Sequence, residues 1–165
     1  MNSVVIGGPT AAVSVALGTT AALGLARSQI PGKSAIVSFL LGPLIVPAVV
    51  AALSLYWVLL RLNLAGSIPV VVAAHTLGSL PMVVLIVSAT YQTLDPQLER
   101  AALSLGAMPW RSFWYVTFPL IRPGVVVAAF FAFLYSFDEL VYTLFVRGPR
   151  LITLPIKLWG DLTLA

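Results

Sequence analysis

Long apolar stretches run along this chain, separated by short polar breaks and by one longer polar island. At roughly 20 residues per membrane crossing, they predict a first span over Val4–Ala26, a second over Ala35–Leu60, a third over Ser67–Tyr91 and a fourth over Gly124–Phe145. Arg27 and the turn-forming Pro31-Gly32 end the first span. Pro43 and Pro47 interrupt the second and Pro81 lies in the third, and each predicts a kink whose freed carbonyl is satisfied by neighbouring helices.

The island, Leu94 to Pro119, reads LDPQLERAALSLGAMPWRSFWYVTFP and joins the third span to the fourth. Asp95 suits a helix N-cap, Pro96 the first helical position, and Gly106 a stop about three turns later. Pro109 then opens a second short helix that Pro119 is expected to close. In the first helix Leu98, Ala101, Ala102 and Leu105 recur at spacings of three and four, an apolar stripe made partly of very small side chains that lets another surface come close. Trp110, Phe113, Trp114 and Tyr115 on the second helix would also suit the headgroup level of a bilayer, so lying on lipid is the plainer alternative for that part.

Composition makes this an integral membrane protein. Of 165 residues, 60% are hydrophobic and 8% charged, and the mean hydropathy of +1.05 exceeds what a soluble core needs. The length allows about four spans beside the island, hence an all-α membrane bundle forming a single domain over 1–165. The net charge of +4 does not point to nucleic acid, because the basic residues stand singly at the ends of apolar runs. Arg27, Lys33, Arg100, Arg111 and Arg122 fall on the island's side, against Arg61, Arg147, Arg150 and Lys157 on the other. That excess predicts a cytoplasmic island, with Met1 and Ala165 outside. A chain that opens directly on an apolar span, and the irregular tail from Leu151 to Ala165, raise the expectation of a fragment lacking a first and a last helix. No basic residue precedes the first apolar run, against a signal peptide. Cysteine is absent, which excludes disulfides and thiolate chemistry.

Candidate chemistry is sparse. Asp138 and Glu139 are the acids within an apolar span, where ionisable groups usually face a cavity or a pathway. Tyr135 and Tyr142 lie within one helical turn on either side and could flank a bound cation. Against this, adjacent residues differ by about 100° around a helix, and the pair sits roughly 24 Å beyond Arg122, close to the far interface where acids cost little. His75 has no metal-ligating partners at suitable spacing, so a histidine hydrogen-bonded between helices is expected. Gly7, Gly8, Gly18 and Gly24 are expected to ease close helix packing. Gly32-Lys33-Ser34 mimics the end of a phosphate-binding loop, but Arg27 stands where the earlier glycine is required, which removes it as a nucleotide site. No nucleophile, paired catalytic carboxylates or metal cluster points to an enzyme.

The island resembles the cytoplasmic EAA loop of permease subunits of binding-protein-dependent ABC importers, whose pattern is Glu-Ala-Ala, three residues, Gly, nine residues, then Ile-x-Leu-Pro. Ala101, Ala102 and Gly106 match in register, and Val116-Thr117-Phe118-Pro119 follows at the family's distance. Arg100 stands where the pattern has glutamate, with Glu99 immediately before it. The resemblance extends from Asn2-Ser3 to the segment SFDELVYTLFVRGPRLITLPIKLW, Ser136 to Trp159, which is similar to the spermidine and putrescine branch; iron(III), thiosulfate and sugar permeases share much of the layout. It implies a multi-span bundle of the MetI-like type with four to five spans, and a coupling loop over 94–119 in which Glu99, Arg100, Ala101, Ala102, Gly106 and Pro119 meet an ATPase. It further implies a multi-pass protein of the cell inner membrane that binds no cofactor itself. ATP and Mg would sit on an ATP-binding subunit dimer, beside a second permease subunit and an extracytoplasmic solute-binding protein. An ion channel, a secondary transporter and a membrane scaffold are the alternatives; the first two use intramembrane charges and broken helices without an ATPase.

Overall fold

The computed structural model describes residues 2–27, 31–149 and 151–163; Met1, Arg150 and Ala165, used above for topology, lie outside the described residues. In chain order the elements are α1 (Asn2–Arg27), α2 (Lys33–Leu41), a 3-10 turn (Gly42–Leu44), α3 (Ala48–Arg61), α4 (Ile68–Gln92), α5 (Pro96–Ser104), α6 (Pro109–Ser112), a π-helical turn (Phe113–Thr117), α7 (Phe118–Asp138), α8 (Val141–Val146) and α9 (Leu154–Thr163). Asn2–Arg27, Ile68–Gln92 and the run Pro109–Asp138 are each long and apolar enough to cross a membrane, and the bent pair α2–α3 can supply a fourth span. The all-helical membrane bundle expected from the apolar runs is therefore present, and the tail forms the short helix α9.

Three expectations about prolines and boundaries need correction. The second apolar run breaks rather than kinks: two prolines four residues apart remove two amide donors, and the chain turns by 98° between α2 with its 3-10 turn and α3. Pro119 does not close the second island helix. It lies inside the continuous run Pro109–Asp138, and the π-turn before it, in which the Phe118 amide bonds the Phe113 carbonyl, lets the helix pass the proline without interruption. The fourth span accordingly starts at Pro109, inside the island, and ends at Asp138 instead of Phe145. Pro81, by contrast, lies within an unbroken α4.

Close contacts fix how the spans pair. Gly18 on α1 lies against Val83 on α4, and the Ser14 and Ser79 hydroxyls hydrogen bond at 2.7 Å, so the contacts advance together and the two helices run in the same direction. Gly78 on α4 meets the Tyr135 ring and Gly124 on α7 meets Thr90, so α7 runs the opposite way. Of the glycines expected to ease packing, Gly7 against Phe133 and Gly18 do so. Gly8 and Gly24 face open space, while Gly78 and Gly124 carry the tightest approaches between α4 and α7.

The core is layered along the spans. Toward one end Ile6, Ala52, Val71, Ala74, Tyr142 and Val146 cluster, and toward the island Ala22, Val83, Val84, Val87, Ala128 and Ala132 form a second cluster. Between them in chain order along α1, α4 and α7 lie buried Thr10, Ser14, His75, Thr76, Ser79 and Ser136. His75 Nε2 is 2.8 Å from the Thr143 hydroxyl, whose own proton goes to the Glu139 carbonyl, so Nε2–H donates; Nδ1 pairs with the Ser136 hydroxyl 2.7 Å away. This is the hydrogen-bonded histidine between packed helices that the sequence led us to expect. A His75→Leu protein is expected to lose ~1–3 kcal/mol of stability, because the Ser136 hydroxyl is left without its partner in a buried site. An unchanged melting temperature in detergent would refute that.

Candidate functional site

The polar island is built by local signals. The α4 helix ends at Gln92, and the chain extends through Asp95, whose Oδ1 accepts the Gln97 amide at 2.9 Å and caps α5 with Pro96 at its first position. Its C-terminus is a Schellman closure: Gly106 takes φ 86°, its N–H bonds the Leu103 carbonyl, and the Ala107 N–H bonds the Ala102 carbonyl at 3.1 Å. Both ends of α5 are thus fixed although none of its residues is buried. The stripe of Leu98, Ala101, Ala102 and Leu105 is left largely uncovered, with Leu105 88% exposed, and Arg100 projects from the same short helix.

Glu99 behaves differently from the rest of the loop. Its carboxylate is 2.8 Å from Nη2 of Arg27 at the end of α1, the one ion pair among the described residues. The same Nη2 donates to the Thr117 hydroxyl in the π-turn at 3.2 Å, and the guanidinium lies 5.9 Å from the Tyr91 ring and 5.8 Å from the Phe113 ring. With side chains 35% and 26% exposed, such a pair contributes only about 0.2–1 kcal/mol, so its importance is geometric. The residues grouped as the loop's contact set are thereby divided. Arg100, Ala101 and Gly106 are exposed, Ala102 is half-buried, Glu99 is turned toward α1, and Pro119 belongs to the membrane helix. Arg27 was missed as a site residue; its signal was a lone arginine closing an apolar run, which reads equally as a topology marker.

At the other end of α7 the helix stops at Asp138, and Glu139 takes an extended backbone with φ −73° and ψ 107°. Its Oε1 accepts the amides of Val141 at 2.8 Å and Tyr142 at 3.1 Å, capping α8 across the break. Tyr135, Asp138 and Glu139 line one open cavity of about 600 Å³ together with Met82, Phe131 and Phe137. Tyr142 does not join them. It is buried in the far apolar cluster and borders a separate groove with Phe39, Pro43 and Leu77. The reversal follows from the break at Glu139, which ends the helical register that would have stacked Tyr142 on the acidic pair.

Residues 10–162 match the family described as "Binding-protein-dependent transport system inner membrane component". The chain is 31% identical over 166 residues to the putrescine transport system permease protein PotI of Escherichia coli (strain K12), covering 96% of the chain and 59% of that protein. It is 35% identical to the molybdenum transport system permease protein ModB of Mycobacterium tuberculosis (strain ATCC 25618 / H37Rv), covering 88% of the chain and 61% of that protein. It is 32% identical to the maltose/maltodextrin transport system permease protein MalG of Escherichia coli (strain K12), covering 99% of the chain and again 61% of the relative. The chain thus spans about three fifths of the length of these relatives. With its several apolar helices and a match along most of its length, the chain is a multi-pass inner-membrane protein and belongs to the family of binding-protein-dependent transport system inner membrane components.

Proposed function

We propose that this chain is the membrane-spanning part of an ATP-driven importer's permease subunit and that its island, 94–119, is the EAA-type loop that docks a separate ATPase. One observation carries the reading: a small helix fixed at both ends, with an uncovered stripe of small apolar side chains, leads after a four-residue connection into an unbroken helix that crosses the membrane. A load placed on α6 acts on the whole of Pro109–Asp138 as on a lever, and the break at Glu139 beside the Tyr135–Asp138 cavity is where its far end can give. In this reading ATP and Mg sit on a partner ATPase dimer, while a second permease subunit completes the pathway and an extracytoplasmic binding protein delivers solute. Nothing in this requires nucleotide or catalytic groups on the chain itself.

For the cargo we propose a polyamine. Support comes from Asp138 and Glu139 lining one cavity with Tyr135 and Phe137, acids and aromatics together being suited to an amine cation, and from the putrescine relative. A sugar or molybdenum cargo is the competing assignment, since relatives with those printed functions are about as similar.

The deciding test is a pull-down of the full-length permease from membranes, intact or with Leu98 to Gly106 scrambled, followed by assay of bound ATPase. Retention on the intact protein and loss on the scrambled one are expected. Absence of ATPase from both would favour a channel or secondary carrier and remove the polyamine assignment too.

A further inference from the structure

The α5 helix has no buried residue, and beside it a crevice of about 270 Å³ opens between the loop and the bundle, lined by Lys33, Gln92, Asp95, Leu98, Glu99 and Thr117 among others. Packing alone therefore does not hold this helix to the spans. What crosses from it to the bundle is Arg27. Its one guanidinium reaches α5 through Glu99, the π-turn through Thr117 and Phe113, and the end of α4 through Tyr91, while its own backbone closes α1. A planar fork with several fixed donors and two stackable faces can make these contacts together, which an ammonium cannot.

We propose that Arg27 is a positioning residue that holds α5 at a fixed place against the inner end of α1, so that displacement of the loop moves α1 together with the Pro109–Asp138 helix. This rests on the reading of the island as an ATPase dock. Without the joint, the crevice gives α5 room to shift while α1 stays behind.

These 165 residues hold no cysteine, so labelling sites can be introduced in them once any cysteine elsewhere in the full-length permease and its partner subunits has been replaced. Gly24→Cys on α1 meets nothing within 4 Å of its new side chain, and Ser104→Cys lies exposed at the end of α5. The distance between these labels would be measured in the full-length permease assembled with its partner subunits in proteoliposomes, nucleotide-free and trapped with ATP and vanadate. One narrow distance population, the same in both states, is expected with Arg27 present. Arg27→Gln should lose that single population, and Arg27→Lys, which keeps the charge but not the planar fork, should recover it only in part. The proposal is overturned if Arg27→Gln keeps the narrow population, or if the distance already changes on trapping when Arg27 is intact. ATPase retention is scored on the same samples. Retention with distances insensitive to Arg27 sinks this inference alone, whereas no ATPase on the unsubstituted protein sinks it together with the docking reading.

Discussion

A Gly106→Val protein is expected to reach the membrane with its spans folded but to retain roughly 5- to 30-fold less ATPase subunit than the native permease. The residue sits at φ 86°, and the left-handed conformation costs an L-residue about 1–2 kcal/mol, more for a β-branched one, which corresponds to that range of populations. Both carbonyl bonds of the Schellman closure depend on this turn, so its loss unwinds the end of α5 and swings Leu105 out of register. The spans are spared because a side chain at Gly106 would meet nothing within 4 Å. Gly106→Asn, which tolerates the same backbone, should keep most of the binding. Native retention by Gly106→Val at matched membrane levels would show that the turn does not matter for docking.

Gly124→Val should act in the opposite way, on the bundle and not on the loop. A β-carbon there would overlap the hydroxyl, Cβ and Cγ2 of Thr90, and an atom fixed to the α4 backbone cannot rotate aside. Overpacking of this kind typically costs 1–3 kcal/mol, and about the upper part of that range is expected where two helices must part. Thermal unfolding in detergent reads the loss. Thr90→Ala should rescue little, since it keeps the offending β-carbon, whereas Thr90→Gly should restore part of the stability despite the roughly 0.5–1 kcal/mol that glycine costs inside a helix. A Gly124→Val protein that melts like the native one would mean that α4 and α7 are not in the contact described.

The two substitutions mark the division between what was readable and what was not. Gly106 announces itself locally, because a cap at Asp95, a proline at the first position and a glycine three turns later describe one helix without reference to anything distant. Gly124 does not. In a chain apolar on every face, lipid-facing and core-facing positions use the same residues, so no periodicity separates Gly24, which faces open space, from Gly18, which lies against Val83. The acidic pair was visible and its division of labour was not: the break that turns Glu139 into a cap follows no proline or glycine, and Tyr142 beyond it lines a groove apart from the cavity of the pair.

The amino-acid sequence alone thus determined the membrane class, the approximate spans and both ends of the α5 helix, since each rests on hydropathy over some 20 residues or on hydrogen bonds within a few. Tertiary structure decided that Arg27 meets Glu99 and Thr117, that α4 and α7 touch through Gly78 and Gly124, and that the island's second helix is the start of a span. These depend on which helix faces meet, and apolar helices in lipid are selected for meeting by close fit of surfaces, a property no single stretch of sequence carries.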